Sequence, residues 1–288
     1  MNFNQKLILL HHWRGITWQN VLTILTNDPT LSLLHHFTVT ELKSNYPITK
    51  LSPSLTDLHV AETLLLLRNY QQNDIHVFTI FDEGYPALLK ETYQPPWVIF
   101  AKGNVELLQD NKMLAVVGSR DASTYGKMTI QSLFPTLIEH GFIIISGLAK
   151  GVDAYSHETA IKLGGQTIAV IAGGFFHIYP KENLALGKKM MKTQLVISEY
   201  PPETKPERWH FPMRNRIISG ISRGTLIIEA KQKSGSLITA NCALNEGREV
   251  FAVPGTIFSA NSVGPNELIQ QGAKLVQTAE DILEELSY

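Results

Sequence analysis

The chain has 288 residues, of which 44% are hydrophobic and 18% are charged, and its formal net charge is −1. This length and composition predict a soluble globular protein with a substantial core and about two domains. The one cysteine, Cys242, excludes an intramolecular disulfide and offers no pair of thiols to a metal.

The first residues lack the charged flank, long apolar core and small-residue cleavage site of a signal peptide. No apolar run approaches the ~18 residues that span a membrane. We therefore expect a cytoplasmic protein with no membrane partner, in which Cys242 is a small buried residue.

Residues 1–74 are predicted to form a small all-α domain. Apolar spacing predicts helices over Gln5–Trp13, Thr17–Leu25 and Asp57–Gln72. The histidine pairs His11–His12 and His35–His36 are not a metal signal, because adjacent side chains on a helix point in different directions. We interpret them as surface or half-buried histidines.

Residues 75–110 are predicted to be a connector that packs on the following domain. Two apolar runs, Ile75–Phe81 and Val98–Asn104, have strand character. Turn residues, including the pair Pro95–Pro96, separate them.

From Met113 onward, apolar runs alternate with glycine-rich turns and helices. Strands are predicted within Leu114–Arg120, the first half of Phe142–Asp153, Thr167–Gly174, Leu195–Tyr200, Thr225–Ala230 and Glu249–Gly255. Continuous apolar strands that alternate with helices indicate a mainly parallel sheet covered on both faces. Residues 111–288 are therefore predicted to form a Rossmann-like α/β domain, with a kink or early helix end at Pro135.

Polar loops follow these predicted strands, at the edge of an open parallel sheet where ligands bind. Glycine lets the backbone approach a phosphate closely, and serine hydroxyls donate hydrogen bonds. The alternative is that each glycine only makes a tight turn. The loops are Gly118-Ser119-Arg120, Ser146-Gly147 with Lys150-Gly151, Gly173-Gly174, and Ser234-Gly235-Ser236.

The stretch FPMRNRIISG, residues 211–220, predicts an anion site. Because the residue before a proline is biased away from helical geometry, a helix is expected to begin near Met213 or Arg214. Arg214 and Arg216 would then lie in its first turn, where planar guanidinium groups and unpaired N–H donors suit a phosphate.

The surrounding charge supports a polyanion partner. Seven basic and two acidic residues lie between Lys205 and Lys233, and four lysines accompany one glutamate between Lys181 and Lys192. A chain of near-neutral net charge that segregates its charge in this way can present a basic groove.

Motifs of nucleotide-cofactor and hydrolytic enzymes are missing. After Val117 the chain reads GSRDAS rather than G-x-G-x-x-G, and it contains no P-loop, G-x-S-x-G elbow or H-E-x-x-H helix. Asp153 is interpreted as an N-cap or first-turn acid, and His157 and Glu158 as ordinary helical positions. We predict a binding protein with no catalytic residue, metal or cofactor.

Eight motifs in order carry a resemblance to a known family. They are GSR at 118–120, SGLAKGVD at 146–153, YPKEN at 179–183, SEYPP at 198–202, FPMRNRIISG at 211–220, SGSLITA at 234–240, REVFAVPG at 248–255 and NELIQQGAKLV at 266–276. From about Tyr85 to the C-terminus, the chain resembles the DNA-processing protein A family, also called Smf.

The resemblance implies a sterile-alpha-motif-like helical domain followed by an extended Rossmann-like domain. It also implies single-stranded DNA binding, protection of incoming DNA, loading of the RecA recombinase during natural transformation, and homodimerisation. Many members carry a C-terminal winged helix, which is not expected here because twelve residues follow Val276.

The resemblance matches Arg120, Lys181, and the Arg214-Asn215-Arg216 triplet to DNA-contacting positions. Together with the polar loops, the predicted DNA-binding set is Gly118, Ser119, Arg120, Ser146, Gly147, Lys150, Gly174, Phe175, Lys181, Asn183, Arg214, Asn215, Arg216 and Ser234.

One departure concerns the segment before the Y-P motif, where many members read G-x-D and this chain reads Gly174-Phe175-Phe176. The two phenylalanines either stack on bases, worth ~1–3 kcal/mol per base, or pack in the core. Both alternatives stay open at this point.

The segment Asn266–Val276 is predicted to join a homodimer. Leu268 and Ile269 are adjacent in a predicted short helix, so both cannot occupy the centre of one narrow buried face. With the resemblance, Asn266, Ile269 and Leu275 are the predicted interface positions. The alternative is that Ile269 and Leu275 belong to the intramolecular core.

Two other classes of function are compatible with this fold. A nucleotide-processing enzyme of the lysine-decarboxylase-like phosphoribohydrolase type would share the fold, but its P-G-G-x-G-T-x-x-E signature is absent. The nearest approach is the run GTLIIEA, which includes Glu229. A structural adaptor that uses only its protein surfaces would not explain the basic groove.

Overall fold

The computed structural model describes residues 1–48 and 50–286; the last two residues of the predicted domain 111–288 lie outside this range. Within it, nine strands form one sheet. They are β1 (Ile75–Thr79), β2 (Val98–Gly103), β3 (Met113–Val117), β4 (Ile143–Ser146), β5 (Thr167–Ile171), β6 (Leu195–Ser198), β7 (Gly224–Ile227), β8 (Glu249–Ala252) and β9 (Lys274–Leu275).

Twelve α-helices lie in the same described residues. They are α1 (Phe3–His12), α2 (Trp18–Asn27), α3 (Val39–Asn45), α4 (Val60–Gln72), α5 (Ala87–Lys90), α6 (Thr124–Glu139), α7 (Val152–Lys162), α8 (Leu184–Thr193), α9 (His210–Gly220), α10 (Gly235–Asn245), α11 (Val263–Gln270) and α12 (Glu280–Leu286). The early helix end expected at Pro135 does not occur, because α6 continues through it to Glu139.

The strand order is β1-β2-β6-β5-β4-β3-β7-β8-β9. Strands β3 to β9 run parallel, whereas β2 pairs antiparallel with both β1 and β6. The predicted α/β class with a mainly parallel sheet is confirmed. The segment 75–110 is more than a packed connector, since its two strands continue the sheet through backbone hydrogen bonds.

The order of the parallel strands reverses beside β3. Strands β3, β4, β5 and β6 follow one another in one direction, and α9 then carries the chain back so that β7 pairs with the other side of β3. At the carboxyl ends of β3 and β7, the loops that follow these two strands therefore diverge toward opposite faces of the sheet. Such a reversal opens a crevice where ligands bind in doubly wound folds.

Strand β3 shows why the sequence reads as a continuous apolar run. Met113, Ala115 and Val117 face one apolar cluster, and Leu114 and Val116 face a second one on the opposite side. A strand covered on both faces needs apolar residues at every position. Helices α6, α7 and α12 contribute to the second cluster.

The N-terminal helices share the first cluster with the sheet. The indoles of Trp18 and Trp97 stack with ring centroids 5.1 Å apart, and His11 Nε2 lies 2.6 Å from the Glu199 carbonyl oxygen. Burial lowers the pKa of His11 to about 4, although the bond to Glu199 opposes this shift. His11 and His12 are half-buried and His35 and His36 are exposed, as predicted.

Candidate functional site

A cleft of about 400 Å³ opens at the carboxyl edge of the sheet, beside the reversal of strand order. Its walls are the loop after β3, the first turns of α9 and α10, and the loop after β7. The residues that line it include Gly118, Ser119, Arg120, Asp121, Asp153, Phe211, Arg214, Asn215, Lys231, Ser234 and Ser236. Two of the four predicted polar loops line the cleft, Gly118–Arg120 and Ser234–Ser236, whereas Ser146-Gly147, Lys150-Gly151 and Gly173-Gly174 are not among its lining residues.

The rim of the cleft combines cations with two aromatic rings, one exposed and one half-buried. The Arg120 guanidinium lies 6.0 Å from the centroid of the Phe211 ring, within the range of a cation–π contact. Phe211 meets Tyr179 edge to face, with centroids 5.7 Å apart, and the Tyr179 side chain is 54% exposed. Lys181 is exposed two residues further along. We call Arg120, Tyr179, Lys181 and Phe211 the cleft rim.

Sequence reasoning missed the two aromatic members of the rim. Phe211 precedes Pro212 and lies three residues before Arg214, and Tyr179 precedes Pro180 and lies two residues before Lys181. An aromatic residue before a proline, close to a cation, was the available signal, because stacking platforms of this kind accompany phosphate-binding side chains in single-strand binders.

Helix α9 begins at His210, so the predicted start near Met213 or Arg214 is wrong. Pro212 lies inside the first turn, where a proline is tolerated because the N–H it lacks has no intrahelical partner. Arg214 and Arg216 consequently lie in the second turn. The predicted basic first turn at a helix N-terminus is also wrong.

Arg214 is 5% exposed and forms part of the cleft floor. Its Nη1 donates to the carbonyl oxygens of Gly147 and, at 2.6 Å, Val170. A Cβ at Gly147 would lie 2.0 Å from that nitrogen, so the guanidinium needs a glycine there. Burial lowers the pKa of Arg214, the nearby Asp153 charge opposes this, and Arg120 adds to it.

Asp153 lies in the first turn of α7, as predicted, and its side chain is buried. Its carboxylate accepts from the backbone N–H groups of Gly147 at 3.2 Å and Ala149 at 3.4 Å. Burial raises the pKa of Asp153, and the Arg214 charge opposes this rise. The aspartate thus orders the β4–α7 loop from below the cleft.

His157 is fully buried in α7, with Nδ1 2.6 Å from Thr167 Oγ1. Burial lowers the pKa of His157 to about 3, and the charge of Arg214 adds to this shift. The imidazole is therefore neutral near pH 7, which suits its position beside a buried cation.

Arg216 does not line the cleft. Its Nη2 donates to both carboxylate oxygens of Glu199 at 2.6 and 2.7 Å, and its Nη1 donates to the Gln94 carbonyl at 2.7 Å. Both side chains of the ion pair are nearly buried, at 14% and 13% exposure. The structure corrects the prediction for Arg216, because the internal carboxylate occupies the position predicted for a phosphate.

Other predicted DNA contacts also have internal roles. Ser146 is fully buried and its hydroxyl donates to the Val116 carbonyl at 2.7 Å. A Cβ at Gly174 would meet the carbonyl oxygens of Pro201 and Pro202 at 2.2 Å, so this glycine permits close backbone packing. The Ser146 hydroxyl is therefore bonded inside the fold instead of to a phosphate, and the open side of Gly174 faces the chain itself.

The two phenylalanines after Gly174 divide between the open alternatives. Phe175 is 5% exposed and belongs to the core, so its prediction as a DNA contact is wrong. Phe176 is 56% exposed. Phe175 thus packs inside the protein, and Phe176, the next residue of the 3-10 turn, faces solvent.

Three polar side chains fix the loops around the cleft. The Asn183 amide donates to the carbonyl oxygens of Leu148 at 2.9 Å and Ala149 at 3.0 Å. The Asn215 amide donates to the Gly235 carbonyl at 3.1 Å. Lys150 forms an exposed ion pair with Glu182, with Nζ and Oε1 2.5 Å apart.

The remaining predicted positions lie in the cleft wall. A Cβ at Gly118 would lie 2.7 Å from Val152 Cγ2, so this glycine allows α7 to approach β3. The Ser119 hydroxyl accepts from the Asp121 N–H at 3.1 Å. Ser234 caps α10 by accepting from Ser236 N, and the two hydroxyl oxygens are 2.8 Å apart.

The predicted dimer positions lie at the β9 edge of the sheet. Leu268 is buried, Ile269 is half-buried, and Leu275 is 38% exposed on the edge strand β9. The Asn266 side chain spans Gly255, accepting from its N–H at 3.1 Å and donating to its carbonyl at 2.9 Å. Leu268 is thus the member of the adjacent pair that packs in the core.

Among the residues that the structure describes, no group of three or more His, Cys, Asp or Glu side chains is placed to hold a metal ion. Across residues 1–48 and 50–286, no helix combines the length and the apolar character that crossing a membrane requires.

A doubly wound α/β sheet with a polar cleft at its switch point defines a Rossmann-like ligand-binding protein. The chain matches the family model of DNA recombination-mediator protein A over residues 76–287. The chain belongs to this family, and the resemblance inferred from its motifs is confirmed.

Relatives agree with this assignment. The chain is 52% identical to DNA processing protein DprA of Bacillus subtilis over 221 residues, which cover 77% of this chain and 74% of the relative. The crystal structure of DprA from Streptococcus pneumoniae matches with a TM-score of 0.83 and 37% identity, covering 99% of both chains.

A second solved structure is DNA processing protein A from Helicobacter pylori, described as having a unique single-stranded DNA binding mode. It matches with a TM-score of 0.67 and 27% identity, covering 74% of this chain and 95% of that one.

Proposed function

We propose that this protein binds single-stranded DNA along the cleft rim. In this role it acts in the cytoplasm as a recombination mediator that protects incoming DNA and loads the RecA recombinase during natural transformation. The observation that carries the proposal is the grouping of two exposed cations, Arg120 and Lys181, with the aromatic rings of Phe211 and Tyr179. The single-stranded DNA binding described for the Helicobacter pylori relative supports it.

Each part of the rim suits one part of a DNA strand. Arg120 and Lys181 are exposed cations that suit successive phosphates, and Phe211 and Tyr179 offer π-faces that stack on bases of any identity. Binding through phosphates and base stacking is therefore expected to show little sequence preference.

The predicted DNA-binding residues take two kinds of role in this proposal. Arg120, Lys150, Lys181, Ser119 and Ser234 contact the strand from the rim and the cleft wall. Buried, closely packed or internally bonded members position them, namely Gly118, Ser146, Gly147, Gly174, Phe175, Asn183, Arg214, Asn215 and Arg216.

A salt titration of an Arg120→Ala variant tests the phosphate contact. Loss of one phosphate contact should weaken binding and lower the slope of log affinity against log salt by about 0.7. Lys162→Ala is the matched control, since Lys162 is an exposed cation in the last turn of α7, far from the cleft. Equal affinity and slope in wild type and Arg120→Ala would exclude Arg120 from the interface.

Comparison of single strands with duplex of the same length tests the stacking component. A rigid duplex cannot place unpaired bases on Phe211 and Tyr179, so it should bind much more weakly. Equal affinities at physiological salt would indicate a generic electrostatic surface instead.

Recombinase loading is tested by following RecA filament assembly on single-stranded DNA that is covered by a single-strand binding protein. The wild type should shorten the lag before assembly, and Arg120→Ala should not, because it holds the strand poorly. If the wild type leaves the lag unchanged, the loading role is excluded, and the proposed DNA binding is not affected by this result.

We propose a homodimer through the β9 edge, using Asn266, Ile269 and Leu275. Exposed Leu275 on an edge strand and half-buried Ile269 supply apolar surface to a two-fold interface, which uses each residue twice. An Ile269→Glu variant should be a folded monomer by light scattering and circular dichroism. A folded dimer would contradict the assignment, and an unfolded chain would place Ile269 in the core.

A further inference from the structure

The turn after β8 carries two large apolar side chains that face solvent. Phe258 is 92% exposed and Ile257 is 83% exposed, the highest values for large apolar residues in the described part of the chain. They occupy the central positions of a tight turn, in which the Ser259 N–H donates to the Thr256 carbonyl at 3.1 Å. We call Ile257 and Phe258 the apolar tip.

The base of this turn is firmly held. The Asn266 amide brackets Gly255, the Ser262 N–H donates to the Ser259 carbonyl at 3.0 Å, and the Tyr125 hydroxyl donates to the Pro254 carbonyl at 2.7 Å. A Cβ at Gly255 would lie 2.1 Å from Ser262 Oγ, so the packing leaves no space there. A held base presents the tip in one direction, which lowers the entropy lost on binding.

The apolar tip adjoins the cleft. Strand β8 runs parallel to β3 with only β7 between them, so their carboxyl ends are two strand spacings, or about 10 Å, apart. Asn261, at the base of the turn, donates to the carbonyl of Asp121 at 3.4 Å, and Asp121 lines the cleft directly after Arg120.

We propose that Phe258, flanked by Ile257, is a second base-stacking point on the same DNA strand, beyond the cleft rim. The inference rests on the proposed function. Exposed Lys231 lies in the cleft wall next to Ala230, whose N–H donates to the carbonyl of Asn261 at the base of the turn, and the intervening phosphates would pass it. The carboxyl ends of β3 and β8 are about 10 Å apart, which is about three stacked nucleotides at ~3.4 Å each, so one strand of DNA can pass over both loops.

The local charge favours a nucleic-acid strand over a protein partner. The cations Arg120 and Lys231 stand on the cleft side of the tip, and Lys231 Nζ lies 3.8 Å from the carboxylate of Asp121. One exposed aromatic ring beside cations is the arrangement found where bases stack along a basic path.

Phe258→Ala separates this inference from the proposed function. With an oligothymidine longer than the path from rim to tip, we expect affinity to fall roughly 5- to 150-fold, the equivalent of one lost base stack. The slope of log affinity against log salt should stay that of wild type, because phenylalanine makes no phosphate contact. Phe258→Trp should bind as well as wild type.

Two controls define the readout. Tyr93→Ala removes another exposed ring, at 77% exposure. The backbone N–H of Tyr93 donates to Glu246, which follows the end of α10 that is remote from the cleft. This variant should bind DNA as well as wild type. An oligonucleotide with abasic sites in place of the bases should bind wild type and Phe258→Ala equally, because no base is left to stack.

The outcomes are distinct. No binding by wild type would refute the proposed function and this inference with it. Wild-type binding with equal affinity in Phe258→Ala would refute the inference alone. A Phe258→Ala protein that changes oligomeric state in light scattering, with unchanged DNA affinity, would show that the tip binds a second copy and would also overturn it.

Discussion

The cleft rim and the polar groups buried behind it use the same residue types in opposite ways. The rim presents Arg120, Tyr179 and Lys181 to solvent, with the half-buried ring of Phe211 between them. The second region, which we call the buried polar layer, holds Asp153, His157, Glu199, Arg214 and Arg216, which are bonded to one another, to backbone groups or, for His157, to the Thr167 hydroxyl. Helix α9 contributes to both, with Phe211 at the rim and two arginines inside.

The difference shows which cations are available to a partner. A cation whose donors are bonded to buried carboxylate or carbonyl groups stabilises the fold, and a phosphate would have to displace those groups. Removing one partner from a buried ion pair costs about 3–5 kcal/mol, whereas an exposed pair is worth little. Substitutions in the two regions should therefore affect different measurements.

The largest effect is expected from Glu199→Gln. This change leaves Arg216 nearly buried without its carboxylate, so the free energy of unfolding should fall by about 3 kcal/mol or more. Urea unfolding followed by circular dichroism measures it. The affinity of the folded fraction for single-stranded DNA should change little, because Arg216 does not line the cleft.

The double variant Glu199→Gln, Arg216→Gln is the control. Two neutral amides leave no unpaired charge, so the double variant should recover part of the lost stability. If the free energy of unfolding of Glu199→Gln is within about 1 kcal/mol of wild type, solvent already screens the Arg216–Glu199 ion pair. The distinction between rim and interior would then not hold at this position.

The sequence predicted the strands well because a sheet covered on both faces requires apolar residues at every strand position. Strand β3 is an example, with side chains alternating between two cores. The start of α9 could not be read from local signals, since Pro212 is compatible with a helix that begins after it and with one that has already begun. Neighbours from other strands decided between the two.

His157 gives a pH-dependent test of the buried polar layer. Its pKa falls from the usual 6.5 to about 3 on burial, so between these values the unfolded chain binds a proton that the folded chain does not. Stability is thus fully present above pH 6.5 and is lost as the pH falls, by about 2 kcal/mol at pH 5.

A His157→Asn variant lacks this titration. It should be less stable than wild type near pH 7, where the bond to Thr167 is weakened, and the difference should shrink as the pH falls toward 5. Unfolding free energies of both proteins at matched pH values measure the difference. A constant difference would mean that His157 titrates alike in the folded and unfolded chains.

Tyr179→Ala tests the rim in turn. Loss of one stacking surface should weaken single-stranded DNA binding about tenfold, within the ~1–3 kcal/mol of a base stack. The midpoint of unfolding should stay near that of wild type, because the ring is 54% exposed. Unchanged affinity would remove Tyr179 from the interface, and a large loss of stability would assign the ring a packing role.

Residue identity alone could not separate the rim from the interior of the candidate site. Arg120, Arg214 and Arg216 look equivalent as sequence, and all three were predicted to bind phosphate. Glu199 and Gly147 make the difference, because one supplies a buried carboxylate and the other the space for a buried guanidinium. Both lie on other segments, and only the folded chain brings them to α9.

The smallest effect, and the sharpest form of the comparison, is expected from Glu182→Gln. It is the same chemical change as Glu199→Gln, but Glu182 pairs with Lys150 on the surface, where the two side chains are 62% and 52% exposed. Solvent replaces the lost partner, so the unfolding midpoint should not move measurably.

The same variant changes the charge beside the rim, because Lys150 loses its carboxylate partner and adds one unpaired cation near Lys181. Affinity for single-stranded DNA should therefore rise about twofold at low salt and return to the wild-type value at high salt. A destabilised Glu182→Gln protein would make the loop pair part of the fold, and an unchanged affinity at low salt would place Lys150 outside the path of the strand.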